Sequence, residues 1–314
     1  MARPLRLEFS GALYHITSRG NDRKPIYFEE SDFESFLLLL GQVCEQFNWV
    51  VHAYCLMTNH YHLVVRVDTA KAKNWSKLEV LQHWQMLFHL PALVERELSG
   101  GSSGEVERQT VDAIIEKYRD RLCDISWFMR CLNEHIARLA NIEDECTGRF
   151  WEGRFKCQAL LGEKALLSVM AYVDLNPMRA KIAESPQASE YTSIQNRLGN
   201  AIRGHFHGKL LPFSDDIDAQ SQQEHIPYRF KDYLELLDWT GQHIHPEIHI
   251  LTTSQIPPTL ISLGIAPNQW LHNCRKLEQN FHFAIGPSKA VKQLCQAFGQ
   301  HWFQGQVACR RCFG

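Results

Sequence analysis

The sequence predicts an α+β fold, and three observations predict it. Short stretches rich in β-branched and aromatic residues, ALYHITSR, WVVHAYCLM and HYHLVVRV, alternate with segments whose apolar residues recur at helical spacing. Two of those strand-like stretches are separated only by Thr58-Asn59, the loop length of a tight hairpin. The order along the chain is strand, helix, strand, strand, and after an interruption helix, strand again.

Each element has its own warrant. Ala12 to Arg19 reads as a strand closed by the turn pair Gly20-Asn21. Ser31 or Asp32 can cap a helix through Phe47, with Phe33, Phe36, Leu37, Leu40 and Val43 on one stripe. Trp49–Met57 and His60–Val67 form the hairpin. From about 70 to 123 the chain turns helical and polar and contains SGGSSGE, Ser99 to Glu105, the composition of a flexible loop, so this segment reads as a helical insertion. Ser126 to Asn141 carries the apolar stripe Phe128, Leu132, Ile136 and Leu139; Phe155 to Leu161 reads as a strand; Glu163 to Leu175 reads as a helix stopped by Pro177. Without the insertion the order is β-α-β-β-α-β plus a helix, a ferredoxin-like split βαβ pattern. We expect a first domain over 1–185 and a helical C-terminal accessory region over 186–314.

Composition narrows the function. The chain has 314 residues, 45% of them hydrophobic, enough for a sizeable core. There is no signal-peptide pattern and no apolar run of membrane-spanning length, so the expected location is the cytoplasm, with no membrane partner. Ten scattered cysteines read as reduced thiols, and the lone CxxC of Cys309 and Cys312 is half a zinc site at most. A net charge of −2 excludes a protein that coats nucleic acid with its whole surface. A local surface remains open: in GRFWEGRFK, Arg149, Arg154 and Lys156 interleave with Phe150, Trp151 and Phe155. Cations for phosphates and rings for unstacked bases suit single-stranded nucleic acid, although solvated charges on an amphipathic strand fit the same pattern.

The chemistry sits in two places. Alternate residues of a strand share a face, so His60 and His62 can offer two imidazoles to one divalent ion. The pattern alone is unspecific, because 16 histidines in 314 residues yield roughly 0.8 HxH pairs by chance. The other two pairs, His205/His207 and His243/His245, carry no expected role. In AYVDLNPMRA, Tyr172 and Asn176 are four residues apart, so a phenol and an amide carbonyl share one helix face. Each is also common in a purely structural setting, Tyr as core and Asn as a helix stop before proline.

Taken together, GALYHITSRGN, VHAYCLMTNHYHLVV, GRFWEGRFK and AYVDLNPMRA resemble the REP-associated tyrosine transposases, a branch of the single-tyrosine HUH (His-hydrophobe-His) transposases. The resemblance covers about 1–67 and 124–182, and the 70–123 insertion widens the gap between histidines and tyrosine. ELLDWTG, Glu235 to Gly241, is similar to the accessory tail of some members. The resemblance implies His60, His62 and Asn176 as ligands of Mg²⁺ or Mn²⁺ and Tyr172 as the nucleophile. Imidazole ligands favour Mn²⁺ of the two. It further implies a 5′-phosphotyrosine intermediate and single-stranded or hairpin-forming DNA, from repetitive extragenic palindromes, as substrate. Arg149, Trp151, Arg154 and Lys156 are the expected DNA contacts, and a monomer is favoured over a homodimer. The alternatives are a replication or conjugation nuclease with the same chemistry, an inactive DNA-binding regulator on the same fold, and a metal-dependent hydrolase using water. A trapped covalent DNA adduct separates the last two from the first.

Overall fold

In the computed structural model, residues 11–101, 104–199, 205–216, 225–244 and 255–314 are described. The readings that fall on Ser102, Ser103 and His245, and on the N-terminal ten residues, lie outside them. The strands are β1 (Leu13–Arg19), β2 (Val50–Met57), β3 (His60–Arg66), β4 (Lys156–Leu160) and β5 (Ala284–Ile285). They form one sheet in the order β2-β3-β1-β4-β5. The first four pair antiparallel and β5 runs parallel to β4. The order of the first four is that of a ferredoxin-like fold.

The helices are α1 (Glu30–Phe47), then α2 (Thr69–Lys73), α3 (Lys77–Gln85), α4 (Ala92–Leu98) and α5 (Glu105–Leu122) in the insertion, and α6 (Ile125–Glu143). After β4 come α7 (Glu163–Asp174), α8 (Asn176–Arg179), α9 (Ser193–Arg197), α10 (Phe230–His243), α11 (Pro258–Leu263), α12 (Pro267–Asn280), α13 (Ser288–Ala297) and α14 (Gln306–Phe313). No helix among the described residues is long and apolar enough to cross a membrane.

Pleating divides the sheet into two unlike faces. On one, Tyr14, Ile16, Tyr61 and Leu63 are all buried and meet α1 and α6: the Phe36 ring lies 4.7 Å from that of Tyr61, whose hydroxyl donates to Asn133 Oδ1 at 2.6 Å. The other face bears His15, Thr17, Arg19, His60, His62, Lys156 and Gln158, and α7 packs over β2 and β3 there. Every residue of α7 from Ala165 to Asp174 is buried, because α12 covers its far side. A helix apolar all round is what a position between two layers requires.

One local expectation needs correction and one holds. Helix α1 starts one residue before Ser31, and Asp32 serves from inside the first turn, accepting from the backbone N–H groups of Phe28 and Glu29 at 2.7 and 2.9 Å. Helix α7 ends at Asp174, three residues before Pro177, as expected, and Pro177 then stands in the first turn of the short α8, where its missing N–H leaves no bond unmade.

The insertion is helical and bears on α1 and α6. Trp84 stacks on Tyr118 at 3.9 Å, and Arg121 lies 4.0 Å over the ring of Trp127. The C-terminal part is not wholly helical, since it supplies β5. Gly286 follows β5 with a φ of 154°, and a Cβ there would collide with the Leu161 carbonyl, so the chain passes that closely only without a side chain. Two residues between Phe283 and Gly286 are too short a run to read as a strand from sequence. Asp174, at the end of α7, ties this part down by accepting from Tyr233 Oη of α10 at 2.6 Å and from the N–H of Ile194 at 3.1 Å.

Candidate active site

Register brings the site together. Thr17 of β1 stands opposite both His62 of β3 and Lys156 of β4, Arg19 stands opposite His60, and His15 opposite Gln158. The His60 and His62 rings lie 5.0 Å apart and nearly perpendicular. Helix α7 sets the Tyr172 ring 5.6 Å from that of His62 and 6.0 Å from that of His15. Asn176 follows one turn later and is buried, with its amide nitrogen unpartnered. Arg179 of α8 places its guanidinium 3.6 Å from the centre of the Tyr172 ring and donates to Tyr172 O at 2.6 Å.

Each histidine is held through its Nδ1. His60 Nδ1 lies 2.6 Å from Asn59 Oδ1, and Asn59 Nδ2 donates to Arg23 O at 3.0 Å. His62 Nδ1 lies 3.0 Å from His15 Nε2 and 3.1 Å from Thr17 Oγ1. His15 Nδ1 in turn lies 2.7 Å from Gln158 Oε1, and Gln158 Nε2 donates to Phe281 O at 2.5 Å. His62 Nε2 is buried without a hydrogen-bond partner. The nearest carboxylate oxygen the structure sets against it is Glu278 Oε1, 3.7 Å away. The other oxygen of Glu278 lies 3.7 Å from Lys156 Nζ and 4.0 Å from Arg19 Nη2.

Burial dominates the electrostatics. It holds the His60 imidazole down to about 4, with the Arg19 charge adding to the effect, and holds His62 well below the ordinary histidine value, helped by His60 and His15. His15 is lowered by the same cause. All three are neutral at pH 7. Burial pushes the Tyr172 phenol up to about 12, and the Arg179 guanidinium works against that shift.

This donor set suits a divalent ion. The His62 imidazole, with its buried, unpartnered Nε2, is a ready ligand, the His60 imidazole stands beside it, and the Asn176 amide can supply an oxygen. Among the described residues no group of three or more His, Cys, Asp or Glu could hold an ion.

Beside the histidines, a cleft of about 360 Å³ is lined by Thr17, Arg154, Lys156, Gln158, Glu278 and Phe281. A smaller recess adjoins it, with Arg19, Arg154 and Lys156 on its walls. The structure therefore brings together His60, His62 and Tyr172, with Asn176 four residues further along the chain and Arg154 and Lys156 in the cleft beside them. Arg149 is exposed and lines neither recess. Trp151 belongs to the opposite face: its ring edge meets Tyr61 at 5.8 Å and its indole N–H donates to Asn133 O at 2.9 Å.

Sequence reasoning passed over His15, Thr17, Arg19, Gln158, Arg179 and Glu278. The period of two already places His15, Thr17 and Arg19 on one side of β1, and Arg179 lies in the same short segment as Tyr172. Nothing in the sequence marks Glu278, which reaches the site only through the packing of α12 on α7.

Residues 8–75 match the family model described as transposase IS200 like. A search of curated proteins finds no match. Among solved structures, the chain is similar to a REP-associated tyrosine transposase bound to a REP hairpin. That match has 12% identity and a TM-score of 0.40, and covers 70% of this chain and 100% of the other. A likeness of that size carries no argument about this site. The matched segment spans β1, α1 and the β2-β3 hairpin with both candidate histidines, and over residues 8–75 the chain is similar to the IS200-like transposase family.

Proposed function

We propose that the protein is a DNA transposase that cleaves and rejoins single-stranded, hairpin-forming DNA through a covalent tyrosine intermediate. One observation carries the reading: a buried phenol, 7% exposed, stands 5.6 Å from a neutral imidazole whose outer nitrogen is free, and the imidazole lies in the segment that matches the transposase family.

Tyr172 Oη attacks the scissile phosphorus, the bond from phosphorus to the 3′ oxygen breaks, and that oxygen leaves as a 3′-hydroxyl after taking a proton. The tyrosine proton goes to solvent. The product is a 5′-phosphotyrosine, and because one ester replaces another, the reverse attack by a 3′-hydroxyl rejoins strands without ATP. A divalent ion, Mn²⁺ or Mg²⁺, held by His60, His62 and the Asn176 amide, would supply Lewis-acid polarisation of the phosphate. Arg179 favours the phenolate by lying on its ring. Lys156 and Arg154 receive flanking phosphates in the cleft. The Glu278 carboxylate stands beside Arg19 and Lys156, so an incoming phosphate displaces it from those cations. Tyr172 and both histidines come from a single chain, which supports a monomer as the working unit.

The test is a denaturing gel of labelled single-stranded hairpins from the source genome incubated with Mn²⁺. A slow protein–DNA band with the wild type and none with Tyr172→Phe is the expected result. A second reading, a silent DNA-binding regulator, is favoured by the burial of Tyr172 and by the carboxylate beside the cations. It takes over if both proteins bind the hairpin and neither forms an adduct.

A further inference from the structure

The hydrogen-bond partners of the two histidines admit only one placement of protons. Gln158 Nε2 donates to Phe281 O, so its Oε1 faces His15 and can only accept. His15 Nδ1 must then carry a proton. The His15 ring is buried, a setting for its uncharged form, so its Nε2 holds a lone pair aimed at His62 Nδ1. Two lone pairs cannot face each other at 3.0 Å, so His62 carries a proton on Nδ1, and its Nε2, buried with no acceptor in hydrogen-bond reach, carries none. The same reasoning applies to His60, whose Nδ1 faces an Asn59 oxygen fixed by the bond from Asn59 Nδ2 to Arg23 O.

We propose that His15 and Gln158 are positioning residues which, anchored on the Phe281 carbonyl of the C-terminal part, lock His62 in the Nδ1–H tautomer and leave its Nε2 lone pair free for a metal ion. Asn59 does the same for His60 from one residue away. Both imidazoles thereby present the same nitrogen. The tautomer lock follows from this hydrogen-bond chain; its consequence for metal binding rests on the reading under Proposed function. Partners that fix the ring and tautomer of a ligating histidine are worth roughly 10- to 100-fold in metal affinity.

Two readouts test the lock on the full-length protein. Two-bond ¹H–¹⁵N correlation NMR of the metal-free protein reports the tautomer of His62 directly. Wild type should show protonated Nδ1 and bare Nε2. His15→Leu should shift His62 toward Nε2–H or a mixture of tautomers, whereas His15→Gln, whose amide oxygen can accept from Nδ1, should restore the wild-type pattern. Gln158→Met leaves both rings in place and should loosen the tautomer without removing either histidine, which covers the case of a His15→Leu protein that does not fold. In parallel, Mn²⁺ titration without DNA should give about 10- to 100-fold weaker binding for His15→Leu and recovery to within a few-fold for His15→Gln. His62 protonated on Nε2 in the wild type, or an unchanged tautomer in both His15→Leu and Gln158→Met, overturns the proposal. If the tautomers behave as stated and no form of the protein binds Mn²⁺, the lock stands and the metal reading falls.

Discussion

The two faces of the central sheet are built from the same strands, one residue out of step, and they do different things. On the face toward α1 and α6, Tyr14, Ile16, Tyr61 and Leu63 fill space. On the face toward α7, His15, Thr17, His62 and Gln158 are buried almost as completely but polar, and each is joined to a neighbour by a hydrogen bond. Buried polar groups are costly unless satisfied. His62 Nε2 on this face and Asn176 Nδ2 after α7 are left unsatisfied, and both are on residues proposed to hold the ion. One face supplies stability, and the other gives some of it up for chemistry.

The sharpest way to break that contrast is to cut one residue from each face. His62→Ala should lower DNA cleavage by at least about 10³-fold, the loss of several kcal/mol of transition-state stabilisation, while far-UV circular dichroism stays unchanged. Its neighbour Leu63→Ala should do the reverse, costing about 2–5 kcal/mol in urea unfolding with the activity of the folded fraction retained. If His62→Ala unfolds the protein or Leu63→Ala silences a folded one, the division between faces is wrong.

Next in size is Arg179→Met. A desolvated cation over an aromatic face is worth about 2 kcal/mol, so single-turnover cleavage should slow by about 30-fold and its pH profile should move to higher pH, since the phenolate loses its cation. An unmoved profile would assign Arg179 to packing alone.

Acid should act on the polar face first. His15, His52, His60 and His62 all have folded-state values below the ordinary 6.5, His52 down to about 3 and His60 to about 4, each with burial as the leading cause. As pH falls below about 6.5 the unfolded chain takes up protons that the folded chain refuses, so stability declines from 6.5 down through about 3 and is intact above that window. The urea midpoint of the protein in chelator should fall steadily across that range, and a flat midpoint contradicts the assignment.

Smaller effects belong to the cleft. Lys156 is 69% exposed on its side chain, and Lys156→Ala in a Tyr172→Phe background should lower the salt slope of single-strand binding by about 0.7. Glu278→Gln removes a negative charge beside two cations and should tighten the same binding several-fold at low ionic strength. Smallest of all, Trp151→Phe should cost about 1 kcal/mol for the lost bond to Asn133 and leave DNA binding alone; weakened binding would return Trp151 to the DNA surface.

The division of the sheet was legible because strands write their faces in alternate letters. His60, His62, Tyr172 and Asn176 could be singled out before any coordinates only through the resemblance to a transposase family, since their spacings, two residues in a strand and four along the chain, are unspecific by themselves. The β-α-β-β order was legible from local periods. Partners that meet through pairing of distant strands, as His62 does with His15 and Gln158, left no local signature. Glu278 and β5 were illegible on stronger grounds, because their place depends on how α12 docks against α7, a matter of side-chain fit over a helix face that no periodicity records.

That docking has a bearing on the order in which the chain is made. His62 is synthesised early and Phe281 late, and at about 5–20 residues per second the interval between them is roughly 10 to 40 s. Until residue 281 has left the ribosome, Gln158 lacks the carbonyl that orients it. A nascent chain therefore carries both histidines and the tyrosine well before the Nε2 proposed to meet a metal ion is set, so the proposed site is completed long after its principal residues are made.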